Sequence, residues 1–283
     1  MMTSRFRHAL KVCAIATAAL SGSAHATFIQ GGDATSQATA DSILDIVFVI
    51  DTSGSMSDDI AAIGASAQTA VQNLSCPNID CFVRARFMSI VGSSGIFNES
   101  VTSLVSSAGG TAQSNSSEDN GPAVIDLINF YNWNNDAVGA QKYYKAIVTI
   151  GDEGTENGAP VNQADYDVAY AANQLAISTN TFVIGWVTDD PSAGVPELFK
   201  TMATGGVLGG YTFGDTGGGY VQQGSSDVGG TTVQQTLEDI ICFAAGGGST
   251  GGGTVPEPGS LALAALGLFG VGAMRRRKAA RSV

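Results

Sequence analysis

The sequence is poor in histidine. The chain of 283 residues has two, His8 and His25, and both lie within its first 26 residues. Residues 27–254 therefore lack the imidazole that serves as the base of a Ser-His-Asp triad and as a common ligand of zinc or iron. This absence disfavours hydrolytic triads and histidine-ligated metals, and we expect a protein that is not an enzyme.

Basic residues are equally scarce in the middle of the chain. Residues 27–254 hold five of the 13 basic residues and 24 of the 25 acidic ones, which leaves a net charge of −19. Such a surface repels nucleic acid and anionic membranes, because their phosphates must be neutralised by lysine or arginine. We therefore expect no nucleic-acid partner. An acidic shell that binds many cations weakly is one alternative for its role.

The first 26 residues have the composition of a secretory signal peptide. Three basic residues precede the apolar stretch 12–20, and Ser-Ala-His-Ala follows, ending at Ala26. A positive region, a short apolar core and a small-x-small cleavage site define such signals. The apolar stretch is shorter than the roughly 20 residues of a spanning helix, so we expect export and cleavage after Ala26.

A second address signal stands at the C-terminus. Pro256, Glu257 and Pro258 precede the apolar run 260–274, and an arginine-rich cluster, 275–278, follows it. Residues 255–283 resemble the PEP-CTERM sorting signal of Gram-negative bacteria. The resemblance implies transient anchoring of a single apolar helix in the inner membrane and then processing by an exosortase-type enzyme. A permanent tail anchor is the alternative. Either way the folded part lies outside the inner membrane, in the cell envelope or the extracellular space.

The rest of the chain divides into a polar segment, 27–42, a body, 43–243, and a flexible spacer rich in glycine and serine, 244–254. Strands are predicted over 45–50, 82–91, 96–101, 145–150, 181–187 and 211–213, and helices over 58–74, 122–131, 163–178, 195–202 and 233–243. Strands that alternate with helices imply an α/β fold: a doubly wound, mostly parallel sheet with helices on both faces.

Oxygen-bearing side chains follow the first predicted strand. Residues 45–50 are mostly apolar and β-branched, as in a buried parallel strand, and Asp51, Ser53 and Ser55 come directly after them. Ligands of open α/β sheets bind at the carboxyl ends of strands, and three hard oxygens suit Mg²⁺, Mn²⁺ or Ca²⁺. Alternatively, Ser55 or Ser57 caps the helix that follows.

Asp-x-Ser-x-Ser after a buried strand resembles the metal-ion-dependent adhesion site (MIDAS) of von Willebrand factor A-type (VWA) domains. The order of predicted elements is similar to that family over roughly 43–243. The resemblance implies that Asp152 is a further ligand, although Gly-Asp-Glu stands here where the family usually has Thr-Asp-Gly. For the middle ligand the candidates are Thr111, in a Gly-Gly-Thr sequence, and the acidic pair Glu118 and Asp119 before the next helix.

The resemblance implies a secreted, non-enzymatic adhesion module with a divalent cation, Mg²⁺ first and Mn²⁺ or Ca²⁺ as alternatives. The ion would keep a coordination position for a carboxylate from a protein or matrix partner. Two other functions stay open. The protein could be a structural matrix component whose metal only stabilises the fold, or a hydrolase with Ser53 or Ser55 as nucleophile, which the lack of histidine disfavours.

Three cysteines follow residue 26: Cys76, Cys81 and Cys242. The short spacing between Cys76 and Cys81 permits a disulfide in a tight loop, as expected in an oxidising compartment. Cys242 would then be a buried free thiol. Other pairings stay open, because an odd number of cysteines cannot settle the connectivity.

Overall fold

The computed structural model describes residues 28–77, 79–92, 97–188, 191–224 and 232–248. The strands are β1 (Phe28–Gly31), β2 (Ser42–Ile50), β3 (Cys81–Ser89), β4 (Lys142–Gly151), β5 (Phe182–Val187), β6 (Gly206–Leu208), β7 (Tyr211–Phe213) and β8 (Gly219–Gln222). The α-helices are α1 (Ser57–Gln72), α2 (Val101–Ser107), α3 (Asn120–Phe130), α4 (Gln163–Ser178), α5 (Val195–Thr204) and α6 (Val233–Ala245).

Six strands form one mixed sheet in the order β1-β3-β2-β4-β5-β8. β3, β2, β4, β5 and β8 run parallel, whereas β1 pairs antiparallel with β3 at the edge. β6 and β7 form a separate two-stranded sheet. The structure thus confirms an α/β fold with a largely parallel central sheet, and its loose similarity to VWA and Rossmann-like folds is compatible with the sequence analysis.

The central strand β2 is buried along its whole length and divides two apolar clusters. Leu44, Ile46 and Phe48 pack in the cluster that includes α1 and α6. Val47 and Val49, which point the other way, pack with residues of α2, α3, α4 and α5. Because side chains alternate along a strand, this nearly continuous apolar run fills both clusters, and helices cover both faces of the sheet.

One predicted element is wrong. The sequence favoured an edge strand over 96–101, but Val101 begins α2, while residue 96 lies outside the described residues. Ser100 is the N-cap: its hydroxyl accepts a hydrogen bond from the Ser103 amide at 3.2 Å. This local side-chain bond favours the start of a helix over an extended strand.

Three strands were not predicted: β6, which pairs with β7 outside the central sheet, and the edge strands β1 and β8. β1 lies within the polar segment 27–42 and is hydrogen-bonded to β3, and β8 is a four-residue strand in a glycine-rich region. Both pair at the edges of the sheet. Strands this short carry too few residues for the alternating pattern that reveals longer ones.

The tentative Cys76–Cys81 disulfide is wrong in this structure, which pairs Cys76 with Cys242. Cys76 follows α1 and Cys242 lies on α6, and these helices pack against each other, so residues 166 positions apart become neighbours. Cys81 is a buried free thiol whose sulfur lies 3.7 Å from that of Cys76. Burial, with the Asp33 carboxylate nearby, raises the pKa of Cys81 to about 12.

Among the described residues, no helix has the length and apolar character that crossing a membrane requires. The predicted signal peptide, 1–26, and the predicted apolar helix over 260–274 lie outside the described residues. α6 extends two residues into the predicted spacer 244–254.

Candidate functional site

The candidate site lies at the carboxyl ends of β2 and β4. These strands are neighbours, yet α1, which follows β2, and α4, which follows β4, pack on opposite faces of the sheet. Such a switch in direction opens a crevice above the strand ends, where ligands bind in open α/β sheets. Asp51 directly follows β2 and Asp152 directly follows β4. The fold therefore brings the first and last predicted ligands to one crevice.

Asp51 is fully buried and has a single hydrogen-bond partner among the described residues. Its Oδ1 accepts the Ser53 amide at 2.7 Å. Its Oδ2 is buried and has no hydrogen-bond partner. Burial, with smaller contributions from the Asp152 and Glu118 carboxylates, raises the pKa of Asp51 to about 7. Asp51 is thus a buried acid without a cation to neutralise it.

Gly151 keeps the space beside Asp51 open. A β-carbon at this position would lie 2.8 Å from Asn120 Nδ2 and 3.5 Å from Asp51 Oδ2. A side chain at residue 151 would therefore displace the Asn120 amide, whereas its contact with the carboxylate would be an ordinary van der Waals one. The glycine before Asp152 consequently has a steric role at the site.

Ser53 and Ser55 lie in the turn that follows Asp51. Their hydroxyl oxygens are 3.0 Å apart, and both side chains are at least partly exposed. The turn contains a short 3₁₀-helix over Gly54–Met56, and Ser53 makes no side-chain capping bond there. α1 begins at Ser57, as the alternative interpretation held, but its N-cap is Met56 and makes no side-chain capping bond.

Asp152 faces Ser55 from the end of β4. It is 7% exposed, and its Oδ1 is buried without a hydrogen-bond partner. Burial raises the pKa of Asp152, and the Ser55 hydroxyl partly offsets that effect. Asp51, Ser55 and Asp152 are thus brought together around a space that two unpartnered carboxylate oxygens border.

Thr111 is not part of this arrangement. Gly110, directly before it, packs against the ring of Phe130 at the carboxyl end of α3, whereas Asn120 at the other end lies near Asp51. With a rise of 1.5 Å per residue, the two ends of this helix are about 15 Å apart. The exposed Thr111 therefore lies far from the crevice.

A buried aspartate of α3 explains this placement. The backbone amides of Gln113 and Ser114 donate to Asp126 Oδ2 at 2.9 and 3.0 Å, and the Ser114 hydroxyl donates to the same oxygen at 2.8 Å. These bonds fasten the segment from residue 111 to residue 119 along α3, so its beginning lies at the far end of the helix. The Gly-Gly-Thr sequence gives no sign of this long-range contact.

Glu118 and Asp119 have different environments. Asp119 is 1% exposed and accepts the backbone amides of Asn115, Ser116 and Asn157 at 2.7, 2.8 and 3.0 Å. Its carboxylate thus holds two loops together. Glu118 is half-buried and is one of the charges that raise the pKa of Asp51. Of this pair, Glu118 is the residue whose negative charge acts on Asp51 in the crevice.

The Glu118 carboxylate also faces Glu153. Burial raises the pKa of Glu118, and the negative charge of Glu153 adds to that effect. Gly158 lies against both: a β-carbon there would lie 2.0 Å from Glu118 Oε2 and 2.6 Å from Glu153 Oε2. The sequence analysis left Glu153 out of the site, and the structure places it at the rim beside Glu118.

Asn120 is a site residue that the sequence did not reveal. Its Oδ1 accepts the Thr149 hydroxyl at 2.6 Å, and its buried Nδ2 has no hydrogen-bond partner. Nothing in the sequence separates this asparagine from an ordinary first residue of a helix. Its position is evident once α3 lies against β4.

The residues of the crevice fit a hard divalent cation. Carboxylate and hydroxyl oxygens are the donors that Mg²⁺, Mn²⁺ and Ca²⁺ prefer. Buried carboxylates are costly unless they are paired or coordinate a metal, and both Asp51 and Asp152 have a buried oxygen without a partner. Asp51, Ser53, Ser55, Asp152 and Glu118 could hold the ion, and Asn120 borders them.

Comparison with known proteins identifies the C-terminal signal. The model of the PEP-CTERM protein-sorting motif matches residues 254–278, which confirms the prediction at Pro256, Glu257 and Pro258. This motif indicates processing by an exosortase-type enzyme and export to the cell envelope or the extracellular space. No model of a VWA domain matches the body, although its α/β fold is compatible with that family. No curated protein matches the chain.

Proposed function

We propose that the exported body is a non-enzymatic, VWA-type binding module that holds a divalent cation in the crevice between β2 and β4. One observation carries this proposal: Asp51 and Asp152, at adjacent strand ends, each have a buried carboxylate oxygen without a hydrogen-bond partner. Mg²⁺ is the first candidate, with Mn²⁺ and Ca²⁺ as alternatives. The lack of histidine in residues 27–254 supports a role outside catalysis.

The exposed side of the crevice suggests how a partner would be recognised. Ser53 and Ser55 are at least partly exposed, whereas Asp51 is closed off from solvent. A bound cation would supply an open coordination position for a carboxylate from a protein or matrix ligand. The surrounding acidic residues would repel a carboxylate in the absence of the cation. Cation and partner would therefore bind in that order.

The predicted signal peptide and the C-terminal sorting motif support binding outside the inner membrane. We propose that residues 260–274 anchor the chain transiently in the inner membrane before an exosortase-type enzyme processes it near Glu257. The body would then act at the cell envelope or in the extracellular matrix. The PEP-CTERM match supports the sorting step.

Thermal unfolding with and without Mg²⁺, Mn²⁺ or Ca²⁺ tests the cation site. A ligand at a hundredfold excess over its dissociation constant stabilises the folded state by about 2.7 kcal/mol. We expect the cation to raise the unfolding temperature in a saturable way. This rise should disappear in Asp51→Ala and persist in the control Asp58→Ala, since Asp58 is exposed in the first turn of α1. An equal shift in both variants, or none in the wild type, would refute the site.

The same site could serve only to stabilise a structural matrix component, and the complete burial of Asp51 favours this second candidate. Water-proton relaxation on the Mn²⁺-loaded protein separates the two functions. Exchangeable water on the bound ion, lost on addition of an aspartate-containing peptide, would support partner binding. A bound ion without exchangeable water would support the structural role.

A further inference from the structure

An extended segment, residues 131–137, forms a ridge between two grooves at the end of the molecule opposite the candidate cation site. The first groove has a volume of about 450 Å³ and the second of about 580 Å³. Successive ridge residues alternate between them: Asn132, Asn134 and Asp136 line the first groove, and Trp133, Asn135 and Ala137 line the second. Alternation of this kind is the property of an extended chain. One short segment thus serves both grooves.

Aromatic rings and amide groups dominate the lining. Phe28, 45% exposed, and Tyr131 border the first groove, and their rings lie 4.9 and 6.0 Å from the Arg86 guanidinium. Trp133 and Tyr143 border the second. Amide side chains offer both donors and acceptors, and aromatic rings offer flat apolar faces. A ligand that binds the amide groups and the aromatic rings together must carry hydroxyl groups and apolar C–H faces on the same chemical unit.

Buried polar atoms are a further feature of the ridge. Among the described residues, the buried side-chain atoms without a partner include Arg86 Nε, Trp133 Nε1 and Asp136 Oδ1, all at the ridge or its first groove. Buried polar atoms in native structures are rarely left unpaired. The other such cluster is the candidate cation site, with Asp51, Asn120 and Asp152.

A buried network holds the ridge in place. Asp45 accepts the Asn134 amide at 2.9 Å, and Arg84 donates to the Asn134 carbonyl at 2.6 Å and to Asp136 at 2.9 Å. Arg84 and Asp45 are themselves joined at 2.6 Å. A binding surface fixed before its ligand arrives loses less entropy on binding.

The charge of these grooves points to a neutral ligand. Arg84 is paired with Asp45 and Asp136, and Arg86 with Glu99. Lys145 of the second groove donates to the Thr179 carbonyl at 2.6 Å and lies 5.9 Å from the centre of the Trp133 ring. The net charge of −19 over residues 27–254 further disfavours a polyanion. We propose that the two grooves bind a neutral oligosaccharide, whose sugar rings pack on the aromatic side chains and whose hydroxyl groups bond to the amides of the ridge. This site is independent of the proposed cation site.

Titration of the purified protein with neutral hexasaccharides tests this proposal. Glucan, mannan and galactan hexamers are added at millimolar concentration, with alginate as the anionic contrast. Tryptophan fluorescence reports the ridge, because Trp186 is 1% exposed in the core and Trp133 is the other tryptophan of the chain. Saturation-transfer NMR identifies the bound sugar.

Asn132→Ala and Asn135→Ala change one exposed amide in each groove, and Asn73→Ala, an exposed asparagine at the end of α1, is the matched control. We expect saturable binding of at least one neutral hexamer. Each ridge variant should weaken it about 2- to 10-fold, the effect of one hydrogen bond, and the control should not. Circular dichroism shows whether the variants remain folded.

Three results would overturn the proposal: no binding by any of the three neutral hexamers, binding of alginate alone, or equal affinity in the ridge variants and the control. Binding should persist in EDTA and in Asp51→Ala, so failure of the cation site and failure of the saccharide site are distinguishable. Loss of saccharide binding in EDTA would contradict two independent sites.

Discussion

Two buried aspartates on and after the same strand have opposite environments. Asp45, on β2, is 2% exposed and accepts hydrogen bonds from Arg84 at 2.6 Å, Tyr143 at 2.7 Å and the Asn134 amide at 2.9 Å. Asp51, directly after β2, is fully buried and accepts one backbone amide. Burial alone therefore does not distinguish a structural carboxylate from a functional one, whereas the set of partners does.

The two aspartates also mark the two ends of the molecule. Six residues of strand separate them by about 20 Å. α3 runs about 15 Å on the adjoining face, with Asn120 near Asp51 and the ridge after its other end. At the Asp45 end, the protein supplies the positive charge itself. At the Asp51 end no described residue supplies it, and the proposed cation would complete the site.

The largest expected effect comes from breaking the complete network. Asp45→Ala leaves Arg84 buried without its nearest carboxylate, and loss of one partner of a buried ion pair costs about 3–5 kcal/mol of the free energy of unfolding. Urea denaturation measures this loss. Asp41→Ala, an exposed acid just before β2, should change stability by less than about 0.5 kcal/mol. Equal effects in the two variants would show that the network contributes little.

The disulfide lies near the amino end of β3, away from Asp51, and provides a reference for general destabilisation. Cys242→Ser removes a link between residues 166 positions apart and should lower the free energy of unfolding by about 2–5 kcal/mol. The stabilisation proposed for Mg²⁺ should remain in this variant. Cys81→Ser, which leaves the link intact, is the control. Peptide mapping that finds Cys76 joined to Cys81 would contradict the assignment.

Glu118 and Asp119 allow the same comparison between adjacent residues. Asp119→Asn weakens the acceptor of three backbone amides and should lower the free energy of unfolding by about 1–3 kcal/mol. Glu118→Gln relieves repulsion with Glu153, so stability should hold or rise while Mn²⁺ affinity falls. Urea denaturation and calorimetry measure the two quantities. If Asp119→Asn reduced Mn²⁺ affinity more than Glu118→Gln did, the roles would be reversed.

A further expected effect, confined to part of the pH range, is a pH dependence of stability in EDTA. The pKa of Asp51 is raised from its usual 3.8 to about 7 in the folded protein. Its contribution to stability is therefore fully present below pH 3.8 and is lost as the pH rises through about 7. The free energy of unfolding should fall over this range relative to Asp51→Asn, and excess Mg²⁺ should oppose the fall. If the free energies of unfolding of the wild type and of Asp51→Asn changed with pH in parallel, the raised pKa of Asp51 would be contradicted.

Much of the fold could be predicted from the sequence, because long periodic segments specify their own structure. The helix predicted over 163–178 is found with the same bounds, and the apolar run after Asp45 is the central strand. The short strands β1, β6 and β8 and the helix α2 were missed. Their few residues carry weak patterns, and pairing at the sheet edges or a serine cap determines them.

The candidate site could be predicted in part. Asp51, Ser53 and Ser55 are local in sequence, and Asp152 follows a recognisable strand, so parallel pairing of β2 and β4 brings them together. Thr111 was misplaced because Asp126 fastens the preceding loop along α3. Asn120 was missed because its importance depends on packing against β4, to which no local pattern refers.

By itself, the sequence determined the C-terminal sorting signal, the acidity, the alternation of strands and helices and the Asp-x-Ser-x-Ser turn. Each depends on residues that are close along the chain or on composition, and the sorting motif is recognised on that basis. Tertiary structure decided the disulfide partner, the different environments of Asp45 and Asp51 and the pairing of the ridge with its grooves. These depend on contacts between residues distant in sequence, since packing determines which buried charges acquire a partner and which do not.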